Sequence, residues 1–349
     1  MTISNLPEAT TTDWAFCQQS LAQVSRTFAQ PIQFLPEKQM RALTVGYLLC
    51  RVADTIEDSL GLSLGERDEL YDRFLDVLST AANATQLAQR LAQLEASEAE
   101  ISLGANLDRV MNVFVDQDAT VRQATIRWVT EMTHGMRLYS HRSASEGFCA
   151  LINMNDLERY CYYVAGTVGH LITDLFDDAT EKSGLEAKLR DHAESFGLGL
   201  QMVNIVKDVT DDFERGVCYV PRQVCRSEGF EPEQLLEPCH RAAAKRAVAK
   251  LILRAEMHLD EAFEYTLKIP REHHHLRLFC LLPLWMAVET LAHARDNDAV
   301  FVPGEKVKIS RETVAKIIAD CGRDCRDDEA LRAGFHKLKT KTVPVAVIR

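Results

Sequence analysis

Two short stretches place carboxylates at helical spacing behind apolar runs: Asp54-Thr55-Ile56-Glu57-Asp58 follows "TVGYLLCRVA", and Asn204-Ile205-Val206-Lys207-Asp208-Val209-Thr210-Asp211-Asp212 follows "SFGLGLQMV". On a helix, Tyr47, Arg51, Asp54 and Asp58 fall at about 0°, 40°, −20° and 20°, on one face. Gln201, Asn204, Asp208 and Asp212 fall at about 0°, −60°, −20° and 20°, again on one face. Leu48, Leu49, Val52, Met202, Val203 and Val206 point elsewhere, into packing. A polar stripe on an apolar helix is costly to bury unless its groups are paired or bind metal. Carboxylates one turn apart suit a hard cation, and Mg²⁺ keeps several waters while sharing phosphate oxygens. Two such stripes facing each other would hold a small Mg²⁺ cluster that stabilises a departing diphosphate. A single DxxxD is more often a solvated face. The repeat, with polar companions both times, favours metal–diphosphate chemistry. A calcium loop does not fit, because "DVTDDFERG" lacks the alternating ligands and the central glycine.

The elements that must position these groups read as helices almost throughout. Leu157, Tyr160, Val164, Val168, Leu171 and Leu175 recur at threes and fours. Strand-like alternation is scarce. Joints are marked at residues 31–36, 61–65, 229–232 and 303–304 by proline and glycine. Residues 86–100, "QLAQRLAQLEASEAE", read as a solvated helix or a poorly ordered segment. No short-period repeat and no low-complexity linker divides the chain, which predicts one all-α domain over residues 1–349, with a core at about 14–330.

With 349 residues and 46% hydrophobic content, a large core is within reach. The net charge of −11, with no Lys/Arg-rich run, argues against nucleic acid as a partner. Ten cysteines without a CxxC pair read as reduced thiols of a cytoplasmic protein. The start "MTISNLPEATTTDW" lacks the basic and apolar regions of a signal peptide. A bilayer-spanning helix takes about 20 residues. The longest apolar run, Leu278 to Val288, is shorter than that, so no membrane helix is expected. His273-His274-His275 resembles a metal cluster, but consecutive helical residues diverge, and the run reads as surface.

At its motifs the chain resembles the squalene/phytoene synthase family, over roughly Phe16 to Ile318. "SRTFA" (Ser25 to Ala29), "YLLCRVADTIED" (Tyr47 to Asp58), "YCYYVAGTVG" (Tyr160 to Gly169) and "GLGLQMVNIVKDVTDD" (Gly197 to Asp212) are similar to the family's conserved segments. "LFCLLPLWMAVETL" (Leu278 to Leu291) is similar to the squalene synthase branch in particular. The resemblance implies a single isoprenoid-synthase helical bundle around a central apolar cavity. It implies a farnesyltransferase-type prenyltransferase of isoprenoid biosynthesis, joining two farnesyl diphosphates head to head through presqualene diphosphate, with NADPH reducing the rearranged cation to squalene.

Carried over by position, Asp54 and Asp58 would bind Mg²⁺ at one diphosphate, and Asp208, Asp212 and Asn204 at the other, with Glu57 and Asp211 as further ligands. Ser25, Arg26, Tyr47, Arg51, Gln201 and Lys207 would contact diphosphate or line the first-step site. Tyr160 would steer a proton or stabilise a cation by its π face; a packed aromatic with a satisfied hydroxyl is the plain alternative. Phe28 and Phe279 would be cavity walls. Gly166 and Gly169 fit close helix packing or ligand approach equally.

The chain departs from the family in places. Arg215 to Pro221, "RGVCYVP", follows the second acidic stretch, and its Tyr219-Val220-Pro221 leans to the phytoene-type ending rather than the squalene-type FWP, with Cys218 unusual in either. No counterpart of a C-terminal membrane helix is seen, which suggests a soluble bacterial-type protein with transient membrane contact for release of an insoluble product. NADPH use rests on the resemblance alone, since no GxGxxG follows a strand. Presqualene diphosphate, dehydrosqualene or phytoene as the final product stays open, as does a non-catalytic assembly role.

Overall fold

A computed structural model describes residues 10–25, 27–180 and 184–340. Among them there are α-helices, short 3-10 and π segments and turns, with no β-strand, so the all-α expectation holds. In chain order the helices are α1 (Thr11–Val24), α2 (Ala29–Gln33), α3 (Glu37–Asp58), α4 (Leu64–Thr80), α5 (Ala84–Leu91), α6 (Glu98–Ala105), α7 (Leu107–Val115), α8 (Ala119–Glu146), α9 (Met154–Cys161), α10 (Thr167–Ala179), α11 (Leu185–Lys207), α12 (Val209–Glu214), α13 (Arg222–Ser227), α14 (Arg241–Lys268), α15 (His274–Ala294), α16 (Arg311–Asp324) and α17 (Asp328–Lys339). They cluster into two compact units: Met1–His141 with His170–Glu186, and Arg142–Gly169 with Ala187–Arg349.

In the first unit α3 is the central strut. It buries Val45, Leu48, Leu49, Val52 and Ile56, and packs on α1, α4, α6 and α7. Arg67 of α4 donates to the carbonyls of Ile56 (3.3 Å) and Ser59 (3.0 Å). This closes the C-terminal end of α3, where backbone acceptors lack intrahelical partners. Residues 86–100 correct the sequence reading. They are neither a continuous solvated helix nor loose chain. They hold α5, a turn and the start of α6, with Leu87, Leu91 and Leu94 buried. Ser97 and Glu100 form a capping box that starts α6. Glu100 accepts from the Ser97 amide at 3.1 Å and from its hydroxyl at 2.7 Å.

The helix expected through Leu157 to Leu175 is interrupted by a π-turn at Tyr162–Gly166, which belongs to the second unit. The backbone beside that turn lies against α11. A Cβ on Gly197 would stand 2.0 Å from the Ala165 carbonyl oxygen, and one on Gly169 2.0 Å from that of Ala193. Glycine is therefore required by close packing of backbone on backbone, which settles the role of Gly169; Gly166 meets mainly side chains. The acidic stretch is also not one helix. α11 ends at Lys207, and Asp208 (φ −107°, ψ 18°) caps α12. The i to i+4 register survives the break, since the Asp208 amide donates to Asn204 O (2.8 Å) and the Asp212 amide to Asp208 O (2.9 Å).

α15 lies in the core of this unit with Phe279, Cys280, Leu282 and Leu284 buried. Arg271–Ala294 is long and apolar enough to cross a membrane by length and composition, but 72% of its most apolar window is buried inside the protein. Arg277 is 2% exposed, and its guanidinium donates to Ile269 O, Leu267 O, Cys325 O and Asp328. The three histidines 273–275 are half-buried rather than a surface run.

Gly197→Ala forces a side chain into a backbone carbonyl that cannot rotate away. It should cost about 2–3 kcal/mol of stability, read as a lower midpoint in denaturant by far-ultraviolet circular dichroism. A midpoint equal to the parent's would refute the close contact.

Candidate active site

The first cluster is built on one face of α3. Arg51 is held between two acids: it lies 3.4 Å from Asp54 and 2.8 Å from Glu100. Tyr47, one turn earlier, donates to Val24 O at 3.4 Å, and its ring tilts against Phe28 at 5.9 Å between centroids. Ser25 is buried and accepts from the Phe28 amide at 3.0 Å. Burial pushes the Tyr47 phenol up, with hydrogen bonding from Ser25 and the charge of Arg51 opposing. The expected Ser25, Phe28, Tyr47, Arg51 and Asp54 are thus neighbours. Asp58, at the last position of α3, is exposed, and Glu57 is half-buried. Arg26 lies outside the described residues.

Asp54 departs most from ordinary carboxylate behaviour. Burial pushes it up to about 7; Arg51 opposes this, while the neighbouring Asp58 charge adds to it. It also sits in the last turns of a helix, whose negative end disfavours anions and favours cations. A carboxylate so placed gains from any cation brought beside it.

The second cluster lies in the other unit. Lys207 bonds Asp208, Lys306 bonds Asp211, and Arg215 donates to Asp212 at 2.5 Å. Asp212 is 6% exposed, Asn204 is exposed and Gln201 half-buried. Asn204, Asp208 and Asp212 keep their shared register through the backbone bonds that bridge the α11–α12 break. The donors are carboxylate and amide oxygens beside a helix C-terminus, a set that suits a hard divalent ion. In both clusters the residues present therefore fit Mg²⁺.

Tyr160, buried on α9, stacks on Tyr219 with centroids 4.8 Å apart and planes at 20°, and its hydroxyl donates to the Tyr219 hydroxyl at 3.0 Å. The unusual Tyr219-Val220-Pro221 segment is thus the wall that Tyr160 leans on. Phe279 is fully buried on α15. Glu100, Lys306 and the partnership of Tyr219 escaped sequence reading. Glu100 carries a Ser-x-x-Glu capping signal but no sign of its bond to Arg51, and Lys306 lies in a loop far along the chain.

A family model described as squalene/phytoene synthase matches residues 21–313. The squalene synthase of Schizosaccharomyces pombe is 26% identical over 292 residues, covering 84% of this chain. The chain spans only 62% of that relative's length. Among solved structures, a complex of TcSQS with the ligand BPH1237 has TM-score 0.82 at 24% identity, covering 94% of this chain and 91% of that one. A dehydrosqualene synthase in complex with a ligand has TM-score 0.60 at 20% identity, covering 89% and 96%. These structural likenesses establish an isoprenoid-synthase fold.

An aspartate held near 7 in the folded protein, against an ordinary 3.8, binds its proton more tightly folded than unfolded. The stability it contributes is full below about pH 4 and is lost as pH rises through 7. In metal-free buffer, Asp54→Asn should therefore match the parent's Tm near pH 4.5 and exceed it at pH 8. An equal Tm difference at both pH values would refute the burial effect.

Proposed function

The chain belongs to the squalene/phytoene synthase family, and from that premise we propose that it is a squalene synthase. It would join two farnesyl diphosphates through presqualene diphosphate and reduce the product to squalene with NADPH. The observation that carries this reading is the recurrence of one device: carboxylates in i, i+4 register at the C-terminal end of an apolar helix, each cluster with its own side-chain cations. Bound Mg²⁺ would neutralise diphosphate oxygens as the leaving group departs. Asp54 and Asp58, with Glu57, would hold it for one diphosphate; Asn204, Asp208 and Asp212, with Asp211, for the other.

The remaining roles fall to the other side chains of these segments. Arg51 and Lys207 would meet diphosphate oxygens once released from their carboxylate partners, and Ser25, Arg26 and Gln201 would add polar contacts. Tyr47 and Phe28 would line the first-step site, with Phe279 as a further apolar wall. The buried Tyr160 phenol, oriented by Tyr219, would direct a proton or face the carbocation. Release of a hydrocarbon product would entail brief contact with a membrane.

A second reading ends the reaction before reduction, at presqualene diphosphate, dehydrosqualene or phytoene. It is favoured by the phytoene-type ending Tyr219-Val220-Pro221, and the dehydrosqualene synthase shares this fold.

Purified protein incubated with farnesyl diphosphate and Mg²⁺ should yield squalene only when NADPH is added, as read by mass spectrometry. Dehydrosqualene or presqualene diphosphate despite NADPH would establish the second reading instead. Asp54→Ala and Asp208→Ala should each lower turnover at least about a thousandfold while keeping the helical circular dichroism. Parental turnover in either variant would sink the metal assignment.

A further inference from the structure

Three buried thiols crowd a single carbonyl beside the tyrosine pair. The sulfurs of Cys149, Cys218 and Cys225 lie 3.5, 3.6 and 3.9 Å from Val220 O. That oxygen has two lone pairs, so it cannot fully serve three donors. Cys149 reaches a second carbonyl, Leu151 O, also at 3.5 Å. The backbone holds the two segments side by side: the Cys218 amide donates to Phe148 O at 2.8 Å, and the Arg222 amide to Leu151 O at 2.9 Å. The two thiols are themselves hydrogen-bonded to each other, which puts their sulfurs in direct contact. Arg142 pins the Cys149 side, donating to Asp156 at 2.6 and 2.8 Å and to Ala150 O at 2.6 Å.

From this arrangement we propose that Cys149 and Cys218 form an oxidation site, in which a small peroxide converts the two thiols into a disulfide next to Tyr219. The roles of the two thiols are unequal. Arg222 donates to the Cys149 carbonyl at 2.7 Å, which brings its positive charge beside that residue. The Cys149 thiol lies below its ordinary value, chiefly because Cys218 hydrogen-bonds to it; burial opposes this and Arg222 supports it. Cys218 is raised well above its own, by the same bond and by burial. In the proposed step Cys149, the thiol beside Arg222, is the attacking sulfur and Cys218 the resolving one. Cys218 lines a cavity of about 10 Å³ with Asp212, Phe213, Tyr219 and Leu235, and the buried Cys149 borders it only through its hydrogen bond to Cys218.

The chemistry balances. The Cys149 thiolate attacks a peroxide oxygen; an S–O bond forms, the O–O bond breaks, and the departing hydroxide takes a proton to become water. The Cys218 sulfur then attacks the Cys149 sulfenic acid; the S–S bond forms, the S–O bond breaks, and a second water leaves with the Cys218 proton. Two thiols lose two electrons to one peroxide. The covalent link draws on Cys218, the residue before Tyr219, and so alters the stack on Tyr160.

The test uses the full chain carrying Cys239→Ser, which removes the one cysteine exposed among the described residues. Treated with hydrogen peroxide and mapped without reduction, it should give a Cys149–Cys218 cross-linked peptide that dithiothreitol reverses. The tyrosine near-ultraviolet circular dichroism should change in parallel. With Cys218→Ser the link should vanish and Cys149 should accumulate as a dimedone-reactive sulfenic acid. With Cys149→Ala, thiol loss to peroxide should slow about tenfold or more. A Cys149–Cys225 link, or thiols left intact by peroxide, would overturn the assignment; a tyrosine spectrum unmoved by the cross-link would overturn its coupling to Tyr160. None of these readouts depends on the proposed enzymatic activity, so each stands if that reading fails.

Discussion

Holding carboxylates at the negative ends of helices is the constraint around which both clusters are organised. Asp54, Glu57 and Asp58 close α3, and Asp208 follows the last residue of α11. Charge of that sign is unfavourable there, and desolvation adds to the cost. The protein offsets it with cations from several places. Arg51 comes from the preceding turn, Arg67 caps the end of α3 from α4, Lys207 and Arg215 flank the second stretch, and Lys306 arrives from a distant loop. These partners make the acids tolerable without a metal. A carboxylate kept near 7 by burial is only weakly committed to its charge, so an added cation has much to gain there.

The parts of this arrangement visible in the sequence are those set by local geometry. Helical spacing alone put Tyr47, Arg51, Asp54 and Asp58 on one face, and α3 is a continuous helix that carries them. The same rule placed Asn204, Asp208 and Asp212 together, although α11 breaks at Asp208, because backbone bonds across the break keep the four-residue step. What spacing could not reveal is pairing between distant elements. Glu100 spends one carboxylate oxygen capping α6 and the other holding Arg51, and only the first use has a local signature. The π-turn at Tyr162–Gly166 was hidden too, because the apolar recurrence continues through it.

That π-turn is tied to the tightest contact in the second unit. Ala165 O and Ala193 O meet Gly197 and Gly169 so closely that no side chain fits between. Backbone in contact with backbone has few ways to slide, since there is no rotamer to absorb a shift. α9 and the π-turn are thereby fixed against α11, the helix carrying Gln201 and Asn204. The position of Tyr160 relative to those polar groups follows from small residues that carry no chemistry themselves.

Tyr219 then completes the setting of Tyr160. A buried phenol without a partner loses the hydrogen bonds it had in water, a penalty of about 1–3 kcal/mol. A phenylalanine at 219 could stack equally well but would offer no oxygen. Tyrosine supplies the ring and the acceptor together, at 4.8 Å and 3.0 Å. The departure of this segment from an FWP-type ending therefore has a physical consequence: it ties the Tyr160 hydroxyl to a neighbouring loop. Because that loop also carries Cys218 and the carbonyl shared by three thiols, the tyrosine hydroxyl and the thiol cluster are linked through a few residues of backbone.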